Sequence, residues 1–133
     1  MIRVVADTNV YISALNFGGT ADEVLALGRK QEILIFISPS ILKEIREVLI
    51  RKFRWSTKDA QEAITGIGDF TELVHPKERI DLIKDDEPDN RILECAMEAK
   101  ANFIITGDRH IQKLRKFQGI LIFSPREFLE IKM

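Results

Sequence analysis

The stretch Ile33–Leu49, ILIFISPSILKEIREVL, holds the reading that decides the fold. Ile33 to Ile37 (ILIFI) is an unbroken apolar run rich in isoleucine, the pattern of a strand buried on both faces. Ser38-Pro39 follows at once: a serine to cap free helical N–H groups, then a proline at the first helical position. Taken at roughly 100° per residue, Ile41, Leu42, Ile45, Val48 and Leu49 fall in one stripe about 120° wide. A buried strand leading straight into an amphipathic helix is the repeating unit of a sheet covered by helices.

The same alternation extends in both directions. Ile2 to Ala6 (IRVVA), Phe103 to Thr106 (FIIT) and Ile120 to Phe123 (ILIF) read as strands, and Leu73 to His75 as a shorter one. Thr20 and Glu23 have the spacing of a capping box before Val24, Leu25 and Leu27. Ser124-Pro125 repeats the earlier device, with Glu127 three residues after the serine, and Pro88 opens a helix running to about Lys100. The expected fold is α/β: one domain over residues 1–133, with a central parallel sheet of about four to five strands flanked by helices on both faces.

Composition narrows the function. The 133 residues are 45% apolar and 31% charged, as in a soluble globular domain rather than a disordered chain. With 20 Lys+Arg against 21 Asp+Glu the net charge is −1, so nucleic acid would have to be held by a local patch rather than by bulk basicity. A single cysteine, Cys95, excludes a disulfide framework and a multi-cysteine metal site, and fits a reducing compartment. It borders the apolar stripe of its helix and is expected to be packed. No apolar run approaches the ~20 residues of a membrane helix. The N-terminus lacks a signal-peptide layout, so a cytoplasmic protein without a membrane partner is expected.

Four carboxylates are placed where open α/β sheets bind ligands, beyond the carboxyl ends of strands. Asp7 directly follows the first strand, and Asp108 follows the Phe103–Thr106 strand after Gly107. Each alone also reads as a helix-capping or loop aspartate. Glu44 lies ~40° outside the apolar stripe of its helix and Glu47 ~100° outside it, so Glu44 reaches along the protein surface while Glu47 faces water. Asp89 falls in the middle of the stripe formed by Ile92, Leu93, Ala96 and Ala99. That aims a charge at the protein, where it needs a partner, a capping role or a cation. Convergence of all four would demand protonation or a divalent ion. Carboxylates without clustered His or Cys suit Mg²⁺ or Mn²⁺, and such a centre suits phosphodiester hydrolysis. Spacing alone leaves their convergence open.

With these residues in view, the chain resembles the PIN-domain family of nucleases from Val4 to Leu129. The motifs are VVADTNVYISAL (4–15), SPSILKEIREVL (38–49), DEPDNRILECA (86–96) and IITGD (104–108), four in the family's order. The ending ILIFSPREFL (120–129) is similar to that of a prokaryotic toxin branch. The resemblance implies a metal-dependent endoribonuclease in which Asp7, Glu44, Asp89 and Asp108 hold Mg²⁺ or Mn²⁺. Asn9 and Thr106 would support the cluster by hydrogen bonds, with Asp86 an extra acid beside the third motif. It further implies a homodimer restrained by a cognate antitoxin whose inserted segment blocks the acidic site.

Two basic runs are candidate RNA contacts. Arg109, His110, Lys113, Arg115 and Lys116 directly follow Asp108, and Lys43, Arg46, Arg51, Lys52, Arg54 and Lys58 are interleaved with Phe53 and Trp55. Both also read as solvated helix faces. His110 reads as a surface histidine, since metal-bound water needs no histidine, and His75 as structural. Two other readings stay open. One is a PIN-like module that binds RNA or protein without turnover. The other is a phosphatase using Asp7 as nucleophile. Against the second, Asn9 stands where haloacid-dehalogenase-like enzymes have a second Asp, and Ser124-Pro125 where receiver-like domains have a Lys.

Overall fold

In β1 (Arg3–Ala6) the successive residues Val4, Val5 and Ala6 are all completely buried. Neighbouring side chains on a strand point to opposite faces, so burial of each in turn requires cover on both. The structure, a computed structural model, describes residues 1–83 and 87–132. After β1 come α1 (Thr8–Phe17), α2 (Gly19–Arg29), β2 (Leu34–Ile37), α3 (Pro39–Arg51), α4 (Thr57–Phe70) and β3 (Thr71–Leu73). The second half adds α5 (Glu87–Glu98), β4 (Phe103–Ile105), α6 (Arg109–Gln112), β5 (Lys116–Phe117), β6 (Ile120–Phe123) and α7 (Pro125–Lys132). Among the described residues no helix is long and apolar enough to cross a membrane.

The strands form one sheet in the order β3-β2-β1-β4-β6-β5. β1 pairs in parallel with β2 (Val4 opposite Ile35) on one side and with β4 (Val5 opposite Ile104) on the other. The chain therefore winds outward from β1 to β2 and β3, then returns to the far side of β1 with β4. The winding reverses between β1 and β4, and in this architecture ligands usually bind beyond the carboxyl ends of the strands at such a switch point.

The expected parallel α/β sheet is present, with three local differences. The spacing of Thr20 and Glu23 does not cap α2. Gly18 and Gly19 both adopt positive φ, +71° and +64°, and Gly18 ends α1 by donating its N–H to Ala14 O at 3.0 Å. α2 then starts at once, leaving Thr20 inside its first turn rather than in the extended conformation a cap requires. The third strand lies two residues earlier than Leu73–His75. Thr71 leaves α4 directly and pairs opposite Ile35, and the Val74 N–H makes the last bond, to Ile37 O at 2.9 Å. Finally, the sheet carries a two-residue antiparallel edge, β5. Gln118 and Gly119 have φ of +47° and +82°, the positive pair that turns a tight hairpin into β6. Two residues, one of them a lysine, offer no apolar run to read.

The other helix starts form as their residues dictate. Ser38 Oγ accepts the Ile41 N–H at 3.3 Å at the start of α3. Ser124 and Glu127 cap each other reciprocally at the start of α7, at 3.1 and 2.8 Å.

Candidate metal centre

Asp7 is placed by both its backbone and its side chain. Its N–H extends the sheet by donating to Ile105 O at 2.9 Å, and its carboxylate Oδ1 caps α1 by accepting the Asn9 N–H at 3.2 Å. The capping role and the position at the strand end are therefore not alternatives. Asp7 is 4% exposed, and its second oxygen accepts the Thr106 hydroxyl at 2.5 Å. That hydroxyl also accepts the Asp108 N–H, at 2.9 Å. Thr106, completely buried at the end of β4, thus ties the acid of the first strand to the acid of the fourth.

Asp108 is half-buried and caps α6 by accepting the His110 N–H at 2.7 Å. Asp89, in the first turn of α5, is 5% exposed, as the helical stripe required of it. The His110 Nδ1 lies 3.7 Å from Asp108 Oδ1 and 4.0 Å from Asp89 Oδ2. One donor atom each from Asp89, Asp108 and His110 lie within 4.8 Å of one another. Donors that bond a common ion at about 2.0–2.2 Å lie within roughly 4.4 Å of each other, so small side-chain adjustments close this set on a divalent ion. Two carboxylates at that spacing, together with Asp7 next door, are the chemistry a divalent cation neutralises.

Glu44 is half-buried on α3, a helix that packs against α1 and α5, and makes no side-chain hydrogen bond or ion pair among the described residues. Asn9 is exposed and meets Asp7 through its backbone. Asp86 lies outside the described residues. Asp7, Thr106, Asp108, Asp89 and His110 are thus linked by stated distances, and Glu44 is not.

Several polar residues around this centre escape a sequence reading. Gln112 donates its side-chain N–H to Thr106 O at 2.8 Å and steadies the strand end that carries the bridge. On α5, Asn90 accepts the N–H groups of Leu82 and Ile83 at 3.1 and 2.8 Å and donates to Ile83 O at 2.7 Å. Glu94 accepts the Ile80 N–H at 2.8 Å and pairs with Arg91 at 2.9 Å, and Arg91 donates to Ile80 O at 2.9 Å. The i, i+4 spacing of Asn90 and Glu94 puts them on one helix face, but no local signal says that this face meets backbone.

Cys95 is packed as expected. Burial pushes its thiol up to about 12, partly offset by a hydrogen bond with Ser38. Burial also raises the neighbouring Tyr11 phenol well above its usual range. Its hydroxyl makes no hydrogen bond among the described residues.

Of the basic runs, Arg109, Lys113, Arg115 and Lys116 are exposed, as is the ring of His110; Arg109 directly follows Asp108, while Lys116 pairs with Leu121, level with the start of β4. The other run is divided. Lys43 and the half-buried Arg46 lie along α3 with Glu44. Arg51, Lys52, Arg54 and Lys58 are exposed around the end of α3 and the start of α4, away from the strand ends. There Phe53 meets the exposed Phe17 edge-on at 6.5 Å, and Trp55 is half-buried with its indole N–H on Asn16 Oδ1 at 3.2 Å.

Comparison with known proteins agrees with this architecture. The family model described as PIN domain matches residues 3–110. The uncharacterized protein MJ1680 of Methanocaldococcus jannaschii is 34% identical over 142 aligned residues, covering 97% of this chain and 90% of that protein. Among solved structures, VapBC2 from Rickettsia felis, bound to a DNA fragment from its promoter, superposes with TM-score 0.66 at 13% identity, over 91% of this chain and 97% of that one. PAE2754 from Pyrobaculum aerophilum gives 0.62 at 11% identity, over 98% and 90%. The PIN domain endonuclease Utp24 gives 0.57 at 24% identity, over 92% and 84%.

Proposed function

Since the chain belongs to the PIN-domain family, we propose that it is a divalent-metal-dependent endoribonuclease cutting single-stranded or structured RNA. The observation that carries this reading is the meeting of Asp89, Asp108 and His110 within 4.8 Å at the carboxyl edge of β1 and β4, beside the Asp7–Thr106–Asp108 bridge.

In this reading Asp7, Glu44, Asp89 and Asp108 hold Mg²⁺ or Mn²⁺. When bound, such an ion supplies an activated water and neutralises charge on the scissile phosphate. The protein's part is to fix the carboxylates in advance. The Thr106 hydroxyl donates to the Asp7 carboxylate and accepts the Asp108 backbone N–H, so it holds the Asp7 side chain against the backbone that carries Asp108. The buried position of Asp89 keeps its charge in a region of weak screening, where its attraction for a cation is stronger than in water. Arg109, Lys113, Arg115 and Lys116 are exposed, and in this reading they draw in a phosphodiester backbone that the carboxylates alone would repel. Asn9 supports Asp7 through the start of α1.

The biological role we propose is the toxin component of a toxin–antitoxin pair, acting in the cytoplasm as a homodimer that a cognate antitoxin holds inactive. The similarity of fold to VapBC2 supports it.

The test is incubation of purified protein with a mixed single-stranded RNA pool in Mn²⁺, Mg²⁺ or EDTA, beside Asp7→Asn. Cleavage should need metal and fall by at least about 10²-fold in the variant, the scale of losing one preorganised electrostatic group. Cleavage that survives both EDTA and the substitution would refute the assignment.

A further inference from the structure

A centre built only of carboxylates has no strong preference for a transition metal over Mg²⁺, but one donor here is nitrogen. Resting on the metal-dependent reading above, we propose that His110 is itself a ligand of the ion through Nδ1. This nitrogen makes the centre selective for Mn²⁺ and later transition metals over Mg²⁺.

Two distances carry the inference. Nδ1 is 3.7 Å from Asp108 Oδ1 and 4.0 Å from Asp89 Oδ2. Both are too long for direct hydrogen bonds. Two donors bonded to one ion at about 2.1 Å are roughly 3.0 Å apart when adjacent and 4.2 Å apart when opposite. Both separations fall inside that window, so an ion fits among the three groups with little movement of the chain.

The backbone that carries the ring is anchored beside the acids. The His110 N–H is bonded to Asp108 Oδ1 at 2.7 Å. The next residue, Ile111, is completely buried, and Gln112 is tied to Thr106 O at 2.8 Å. The single turn of α6 is therefore anchored to the strand end that carries Asp108. The imidazole side chain remains 65% exposed, which leaves room for water and a phosphate oxygen to complete the coordination. Mg²⁺ prefers oxygen ligands in near-ideal octahedra, whereas imidazole suits the transition metals.

The experiment is metal titration of the purified protein without RNA, followed by pulsed electron paramagnetic resonance of the Mn²⁺-loaded form. Wild type should show nitrogen modulation from one imidazole and bind Mn²⁺ at least about tenfold more tightly than Mg²⁺. His110→Ala should lose the nitrogen signal and at least about tenfold of its Mn²⁺ affinity. Its Mg²⁺ affinity should change by less than about threefold, since the carboxylates that suit Mg²⁺ remain. The chain's only other histidine is His75, exposed beyond β3, so His75→Ala should keep the signal. Mn²⁺ binding without a nitrogen signal, or with unchanged affinity in His110→Ala, overturns this inference and leaves the carboxylate centre standing. No Mn²⁺ binding by the folded wild type overturns both.

Discussion

On α5, Asn90, Arg91 and Glu94 face the backbone of residues 80–83, while Asp89, one residue earlier, faces Asp108 and His110. The first set bonds within the protein. Amide meets amide, and carboxylate meets guanidinium and N–H, so opposite polarities are paired within the protein. The second brings two carboxylates and an imidazole within 4.8 Å of one another, and in the proposed reading a cation binds among them. One helix thus carries a polar face that holds a loop and, beside it, the acid that meets Asp108 and His110. In the proposed reading, what separates stability from function here is that the first set serves the loop while Asp89 also serves a bound cation.

The largest effect that would sharpen this contrast is on stability. Glu94→Ala removes the nearest carboxylate of a largely buried guanidinium and the acceptor of the Ile80 N–H, and should cost about 3 kcal/mol in denaturant unfolding. Cleavage per folded molecule should be retained. A variant that stays stable but loses turnover would break the division between the two faces.

On the acidic side, Thr106→Val keeps the shape of the side chain and deletes the bridge between Asp7 and Asp108. Metal affinity and cleavage should fall about 10–100-fold, the range for groups that orient metal ligands. Metal titration and initial rates would measure this. Unchanged metal affinity would mean that the bridge serves the strand end rather than the acids.

The smallest effect concerns Cys95, which lies on the same helix but in neither polar set. Its folded-state value, raised to about 12 from the ordinary 9.0, means that the folded protein binds this proton more tightly than the unfolded chain does. The stabilising contribution is complete below pH 9 and is lost as pH rises from 9 toward 12. Unfolding of wild type between pH 8 and pH 10.5 should therefore show a steeper loss of stability than Cys95→Ala, and the native thiol should resist alkylation at pH 8. Equal pH slopes in the two proteins would show that this thiol does not carry the dependence.

How far the residues alone disclose this arrangement depends on whether a feature is local. Ile33–Ile37 and Ser38-Pro39 announce a strand and a capped helix because burial on both faces and the chemistry of an N-cap act within a few residues. Asp89 was legible as an inward acid because its neighbours at helical spacing are apolar. The spacing of Thr20 and Glu23 misleads because Gly18 and Gly19 take positive φ and start α2 ahead of them. The Gln118-Gly119 hairpin and its two-residue strand were too short to produce a pattern.

By itself, then, the sequence determined the alternation of buried strands and amphipathic helices, and the positions of Asp7 and Asp108 at strand ends. Each follows from periodicity and capping, which read out over one or two turns of chain. Only the tertiary structure decided that Thr106 joins Asp7 to Asp108, that His110 turns toward Asp89, and that Asn90 and Glu94 hold a loop. Asp7 and Thr106 are 99 residues apart. Contacts of that separation depend on which strands become neighbours and in what register, and those are properties of the assembled sheet.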